Sequence, residues 1–277
     1  MSVFDNYKKK KDFIVCIDSD GCAMDTMNIK HIRCFGPCMV EEWNLQEWKD
    51  EILNRWNEIN LYTETRGINR FKGLAMMLCE VNEKYTEIEG IDVFEKWTED
   101  ARELSNSAVE NMIQVNPIFL KALNWSKSVN ASIEKLPQEK IKPFEGVAEA
   151  FRTIHENCDI AVVSSANPEA VRKEWERFGL LEMVDIVCTQ EAGTKAYCIS
   201  EIAKKGYDKD HILMCGDAPG DENAAGVNSV LFYPILVKHE TESWRDLNDT
   251  ALTQFLSGQY IGENQRKMID RFHENLR

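Results

Sequence analysis

The chain reads as an α/β protein with an open, all-parallel sheet and a helical domain inserted after the first strand. Three observations predict this. Five short runs are nearly continuous in apolar residues: Phe13–Ile17, Ile160–Val163, Val184–Cys188, Ile212–Cys215 and Ser229–Tyr233. That is the character of parallel strands covered on both faces. From about residue 143 onward these runs alternate with helical spacing, which implies right-handed crossovers. Between the first strand and that point lie about 120 residues of helical spacing alone.

Taken in order, Phe13–Ile17 opens the sheet and runs directly into Asp18-Ser19-Asp20-Gly21. In the insert, Trp48, Ile52, Trp56 and Ile59 recur at i, i+4, i+8 and i+11, and Phe71, Leu74, Ala75 and Leu78 repeat the pattern. Asn116-Pro117 opens a further helix carrying Ile118, Ala122 and Trp125. Five of the seven tryptophans fall in this insert, as helix-packing core. The chain returns at Lys142-Pro143-Phe144-Glu145-Gly146. Val147, Ala150, Phe151 and Ile154 then mark a helix. Asn167-Pro168, a cap-like residue before a proline at the first helical position, opens another with Val171, Trp175 and Phe178. Ile199, Ile202 and Ala203 mark the helix before the fourth strand, and Met268, Ile269, Phe272 and Leu276 give the tail an amphipathic pattern. The expected division is an α/β core over 1–27 and 141–240, a helical domain over 28–140, and a C-terminal helical extension over 241–277 packed on the core.

Composition narrows the function. At 277 residues with 43% hydrophobic and 29% charged, the chain is an ordinary globular protein. A formal net charge of −14 repels phosphodiester backbones and anionic lipid, so neither nucleic acid nor a membrane is an expected partner. An anionic substrate must then be met by local positive charge or a metal. The nine cysteines are odd in number, and several lie inside apolar runs (Cys16, Cys188, Cys215), as buried free thiols do. The N-terminal residues carry a lysine run but no apolar signal core, and no stretch approaches ~18 consecutive apolar residues. The expected location is the cytoplasm.

Four constellations can carry chemistry. Asp18-Ser19-Asp20-Gly21 puts two carboxylates at the carboxyl end of a buried strand, where open α/β sheets bind ligands. In extended chain the two would point to opposite faces, and a turn at Gly21 lets both face one site. Their repulsion calls for a cation, and hard oxygen ligands suit magnesium. A plain surface turn explains D-x-D-G equally well, whereas a calcium loop fails, with Gly and Ile29 at the wrong positions. Gly216-Asp217-Ala218-Pro219-Gly220-Asp221 again ends a buried strand in carboxylates, although Asp217 alone reads as a helix N-cap. Ser164-Ser165 ends the second core strand just before a helix, a place for phosphate or for a simple cap. Lys195 opens a helix against its dipole, which hints at a role beyond a solvated lysine.

The order of these motifs is more specific than any one of them. Two aspartates on strand one, a helical insert, serine on strand two, a lysine, then Gly-Asp-x-x-x-Asp on strand four resembles the haloacid dehalogenase superfamily, in its phosphatase branch (the phosphoglycolate phosphatase and beta-phosphoglucomutase type). The resemblance covers residues 12–27 and 142–234 and implies a Rossmann-like three-layer core with an all-α cap. By resemblance Asp18 is the nucleophile and Asp20 the general acid/base. Ser164, with Ser165 beside it, and Lys195 match the phosphoryl-binding positions. Asp217 is implied as a magnesium ligand beside Asp18 and the main-chain carbonyl of Asp20, with Asp221 supporting. The implied activity is magnesium-dependent hydrolysis of a small phosphorylated metabolite through an aspartyl phosphate. A phosphomutase or a non-catalytic phosphometabolite-binding regulator are the alternatives. The acid at position 20 favours phosphoester chemistry, since halide leaves without a proton. Two departures stand out: Cys22 replaces the usual threonine, and the tail beyond Glu240 has no counterpart in the minimal fold. Arg66, Arg70 and Lys72 place three cations within seven residues of an acidic chain, either facing the substrate or forming a solvated loop.

Overall fold

The computed structural model describes residues 2–277. Residues up to Met27 and from Ile141 to Arg277 make one compact unit, and Asn28–Lys140 make the other.

In the first unit β1 (Phe13–Ile17) lies at the centre of a sheet and is buried almost throughout. The helical unit follows, with α1 (Gly36–Glu42), α2 (Lys49–Asn57), α3 (Arg70–Lys84), α4 (Ile91–Asp100) and α5 (Ile118–Glu134). Its core is aromatic: Trp56, Phe71, Phe94, Phe119 and Trp125 are all fully buried. The Trp56 and Trp125 rings meet edge-on at 6.0 Å, and the Trp125 indole donates to Phe35 O at 3.1 Å. The helical spacing that runs through Ile59 is continued beyond Asn57 by a wider turn at Glu58–Tyr62.

The remaining sheet unit alternates as its sequence predicts. It consists of α6 (Val147–Asn157), β2 (Cys158–Val163), α7 (Pro168–Arg177), β3 (Ile186–Cys188), α8 (Lys195–Ala203), β4 (Ile212–Gly216), α9 (Pro219–Asn228) and β5 (Leu231–Pro234). The strands are all parallel in the order β3-β2-β1-β4-β5. Several strand boundaries differ from expectation by one or two residues, two of them for visible reasons. The second strand starts earlier, at Cys158, because Asp159 is buried as an acceptor for the Lys10 and Lys11 amides at 2.8 and 3.1 Å. The last strand starts later, because Ser229 takes a left-handed conformation (φ 57°) to close α9.

The C-terminal residues extend this unit with α10 (Glu240–Asp246) and α11 (Glu263–Asn275). They cover β5, the edge strand. The Phe232 amide donates to Gln265 Oε1 at 2.9 Å, and Tyr260 Oη donates to Phe232 O at 3.0 Å. Side chains thereby satisfy edge groups that would otherwise invite another strand. All nine cysteines are free thiols. Among the described residues, no helix is long and apolar enough to cross a membrane.

Candidate active site

The strand order brings β1 and β4 side by side although about 195 residues separate them. Crossovers leave the sheet in opposite directions at this junction, which opens a crevice at the carboxyl ends. Ile17 pairs with Cys215 in β4 and Val162 in β2, and Asp18, Asp217 and Ser164 are the first residues past the ends of these three adjacent strands. The Asp18 amide donates to Cys215 O at 3.0 Å and the Ser164 amide to Cys188 O at 2.9 Å, which hold the strand ends in register.

Immediately beyond β1 the chain turns back on itself. Cys22 and Met24 amides donate to Ser19 O, the Ala23 amide to Asp18 O, and the Gly21 amide to Met24 O. Gly21 sits at φ 83°, a left-handed conformation that strains any side chain with a Cβ. The turn therefore needs glycine. Asp20 lies two residues beyond Asp18 at the start of this turn, and Thr26 Oγ1 donates to its Oδ1 at 2.6 Å, fixing the carboxyl's rotation. The sequence reading missed Thr26. Its only signal is a hydroxyl six residues on, which matters once the turn at Gly21 brings the chain back.

Lys195 enters from the first turn of α8, where Thr194 Oγ1 accepts from the Tyr197 amide as N-cap. Its Nζ lies 3.0 Å from Asp18 Oδ2 and donates to Asp221 Oδ1 at 2.5 Å. The other Asp221 oxygen accepts from the Ala218 amide at 3.1 Å, capping α9. Asp221 is thus held on both sides and fixes Lys195. Carboxylate oxygens of Asp18, Asp217 and Asp221 lie within 4.8 Å of one another, all three residues buried. Burial first, then the charges of Asp221 and Asp217, push the Asp18 carboxyl up to about 8 against the pull of Lys195. Burial opposes charge on Lys195 too, but Asp18 and Asp221 outweigh it and raise its pKa.

Ionised together, the three carboxylates around one ammonium would leave two uncompensated negative charges. Buried, converging oxygen donors with that deficit fit a small hard divalent cation such as magnesium. The Asp20 carboxylate is not one of the converging three.

Of the other expected residues, Ser164 is buried, its Oγ accepting from the Ala166 amide at 3.2 Å, whereas Ser165 is exposed. Arg66, Arg70 and Lys72 belong to the helical unit. Arg66 is buried and donates to Leu61 O at 2.6 Å. Arg70 donates to Ser126 Oγ at 3.0 Å and Asn130 Oδ1 at 2.8 Å and lies over the Phe35 ring. Lys72 is half-buried on α3. The two arginines therefore tie parts of the helical unit together, and neither belongs to a freely solvated loop.

Glycine at position 216 is dictated by the site. A Cβ there would lie 2.3 Å from both Cβ and Cγ of Asp221, in a cluster with no slack. Gly216→Ala is expected to displace Asp221 and, through it, Lys195. The cost is about 1–3 kcal/mol of overpacking, read as a lower melting temperature. Magnesium should stabilise this variant less than the parent. An unchanged melting temperature and unchanged magnesium response would disprove the steric account.

Comparison with known proteins follows the same lines. The family profile described as haloacid dehalogenase-like hydrolase matches residues 84–232, just over half of the chain. The match takes in Ser164, Lys195, Asp217 and Asp221 and begins beyond Asp18 and Asp20. A haloacid dehalogenase-like family hydrolase from Streptococcus pneumoniae superposes with a TM-score of 0.53 at 10% identity, over 84% of this chain and 90% of its own. A protein assigned as a phosphoglycolate phosphatase from Lactobacillus delbrueckii subsp. bulgaricus gives 0.53 at 13% identity, over 80% and 85%. At these identities the likeness is one of fold. No curated protein matches the chain in sequence.

Proposed function

The chain belongs to the haloacid dehalogenase-like hydrolases, and from that membership we propose that it is a magnesium-dependent phosphatase of small phosphorylated metabolites. One observation carries the reading: Asp18, Asp217 and Asp221 converge with Lys195 at the carboxyl ends of neighbouring strands.

Each residue has a part that its position supports. Asp18 attacks phosphorus, and the bond to the ester oxygen breaks as the bond to Asp18 forms, giving an aspartyl phosphate and the alcohol. Asp20, oriented by Thr26, gives its proton to the leaving oxygen and later takes one from the water that attacks the aspartyl phosphate. That water returns Asp18 and releases inorganic phosphate, so no oxidant or reductant is required. Lys195 and the hydroxyl of Ser164, with Ser165 at the rim, hold the equatorial oxygens, over which charge spreads in a loose transition state. Asp18, Asp217, Asp221 and the main-chain carbonyl of Asp20 are the groups that would hold magnesium, which offsets the repulsion between a carboxylate and a phosphoryl group.

The test separates the two aspartates. Asp20→Ala should slow turnover of an alkyl phosphate by roughly 10²–10⁴-fold, the usual worth of a general acid. With 4-nitrophenyl phosphate the leaving group needs no proton, so the phosphoenzyme still forms, but its breakdown lacks a base. The variant should release a burst of about one equivalent of nitrophenolate per enzyme and then nearly stop. Equal, small losses on both esters with no burst would remove Asp20 from proton transfer.

A further inference from the structure

Resting on the reading of Asp18 as nucleophile, we propose that Trp244, in the C-terminal extension, is a positioning residue for the catalytic turn, so that the extension is a working part of the active site. The turn from Asp18 to Met24 satisfies several of its carbonyls internally, but that of Cys22 accepts from the Trp244 indole N–H at 2.9 Å. A second indole, that of Trp175 on α7, donates to Ser19 Oγ at 2.9 Å. Phe151 of α6 stands between the two, its ring 5.4 Å from Trp175 and 6.0 Å from Trp244. Ser19, Cys22, Phe151, Trp175 and Trp244 are all fully buried.

Three aromatic side chains therefore form one brace behind the turn, gripping it at Ser19 and again at Cys22, either side of Asp20. Buried groups of this kind have no water to replace a lost donor. Close-packed rings allow little movement, so the grip fixes where the turn stands. The turn carries Asp18 and Asp20 at its start, and small errors in the placement of reacting groups are costly to rate. Other buried hydrogen bonds from the extension act elsewhere: Tyr260 Oη holds Phe232 O on the edge strand. Trp244 instead reaches the catalytic turn, 222 residues back along the chain.

Two replacements remove the N–H: Trp244→Phe, which also loses ring volume, and benzothienylalanine at position 244, which isolates the N–H by keeping the bicyclic shape with sulfur in its place. Tyr260→Phe is the matched control, losing one buried hydrogen bond from the same extension. Full-length proteins are compared for melting temperature, for kcat and KM on 4-nitrophenyl phosphate with magnesium, and for amide exchange in peptides spanning residues 18–24. Both replacements at 244 should lower kcat about tenfold, move KM less than twofold and speed exchange in the turn. Tyr260→Phe should lower the melting temperature and leave kcat and that exchange unchanged. The inference is overturned if the replacements at 244 lower only the melting temperature, or if Tyr260→Phe lowers kcat equally. A parent enzyme inert toward phosphate esters would sink the phosphatase reading instead, and exchange in the turn would still decide whether Trp244 holds it.

Discussion

Asp18→Asn should leave no measurable turnover, a loss of roughly 10⁴-fold or more, as when the nucleophile of a covalent enzyme is removed. Asparagine keeps the size and one acceptor oxygen but cannot attack phosphorus as a carboxylate does. The buried neighbours Asp217 and Asp221 do not replace it, since Asp221 is held by Lys195 and the Ala218 amide. The same change should stabilise the metal-free protein at alkaline pH. Asp18 ordinarily titrates near 3.8 and is pushed up to about 8 in the fold, first by burial and then by the two other carboxylates. Its charge is thus disfavoured when folded, and a neutral isostere relieves that. Loss of activity with a higher melting temperature at pH 8 is a combination that misfolding cannot produce. Acid-stable label on Ser164 or Ser165, or parental activity in Asp18→Asn, would rule out the aspartyl route.

Much of this was legible in the sequence because it depends on local pattern. The first strand begins and ends where its apolar run does, and Asn167-Pro168 opens a helix as a capping pair should, the Asn167 side chain accepting from the Glu169 and Ala170 amides. The ordered motifs also located the carboxylates, since strand ends on a parallel sheet face one way. What escaped was whatever depends on long-range packing. Asp159 looks like a strand breaker until the N-terminal amides that it accepts are in place. Arg70 reads as a cation facing substrate or solvent, because nothing local announces Ser126 or Asn130 as its partners. The tail read as a helical extension packed on the core, with no contact of its own in view, since the Phe232 amide and the Cys22 carbonyl that it serves lie far back along the chain. Convergence of Asp221 on Lys195 was likewise invisible. The motif gives the residues, but only the crossover from β3 to β4 sets their 2.5 Å contact.

Chelation should abolish activity, and added magnesium should restore it in a way that depends on pH. Without a cation the folded protein keeps a proton on Asp18 that the unfolded chain gives up, across the interval between about 3.8 and about 8. Unfolding in that window releases a proton, so the stability of the metal-free protein falls as pH rises through it and levels off above the folded value. A metal must displace that proton to use the Asp18 carboxylate, so its apparent affinity should rise about tenfold per pH unit up to about 8 and then flatten. At one fixed magnesium concentration the gain in melting temperature should therefore be larger at pH 8 than at pH 6. Calcium prefers more ligands and longer bonds, so it should raise the melting temperature yet restore little activity. In Asp217→Asn, which removes one of the three converging carboxylates, both the magnesium gain and its pH dependence should shrink. A gain that is the same at pH 6 and pH 8, or full activity in thoroughly chelated enzyme, would show that the buried carboxylates serve something other than a cation.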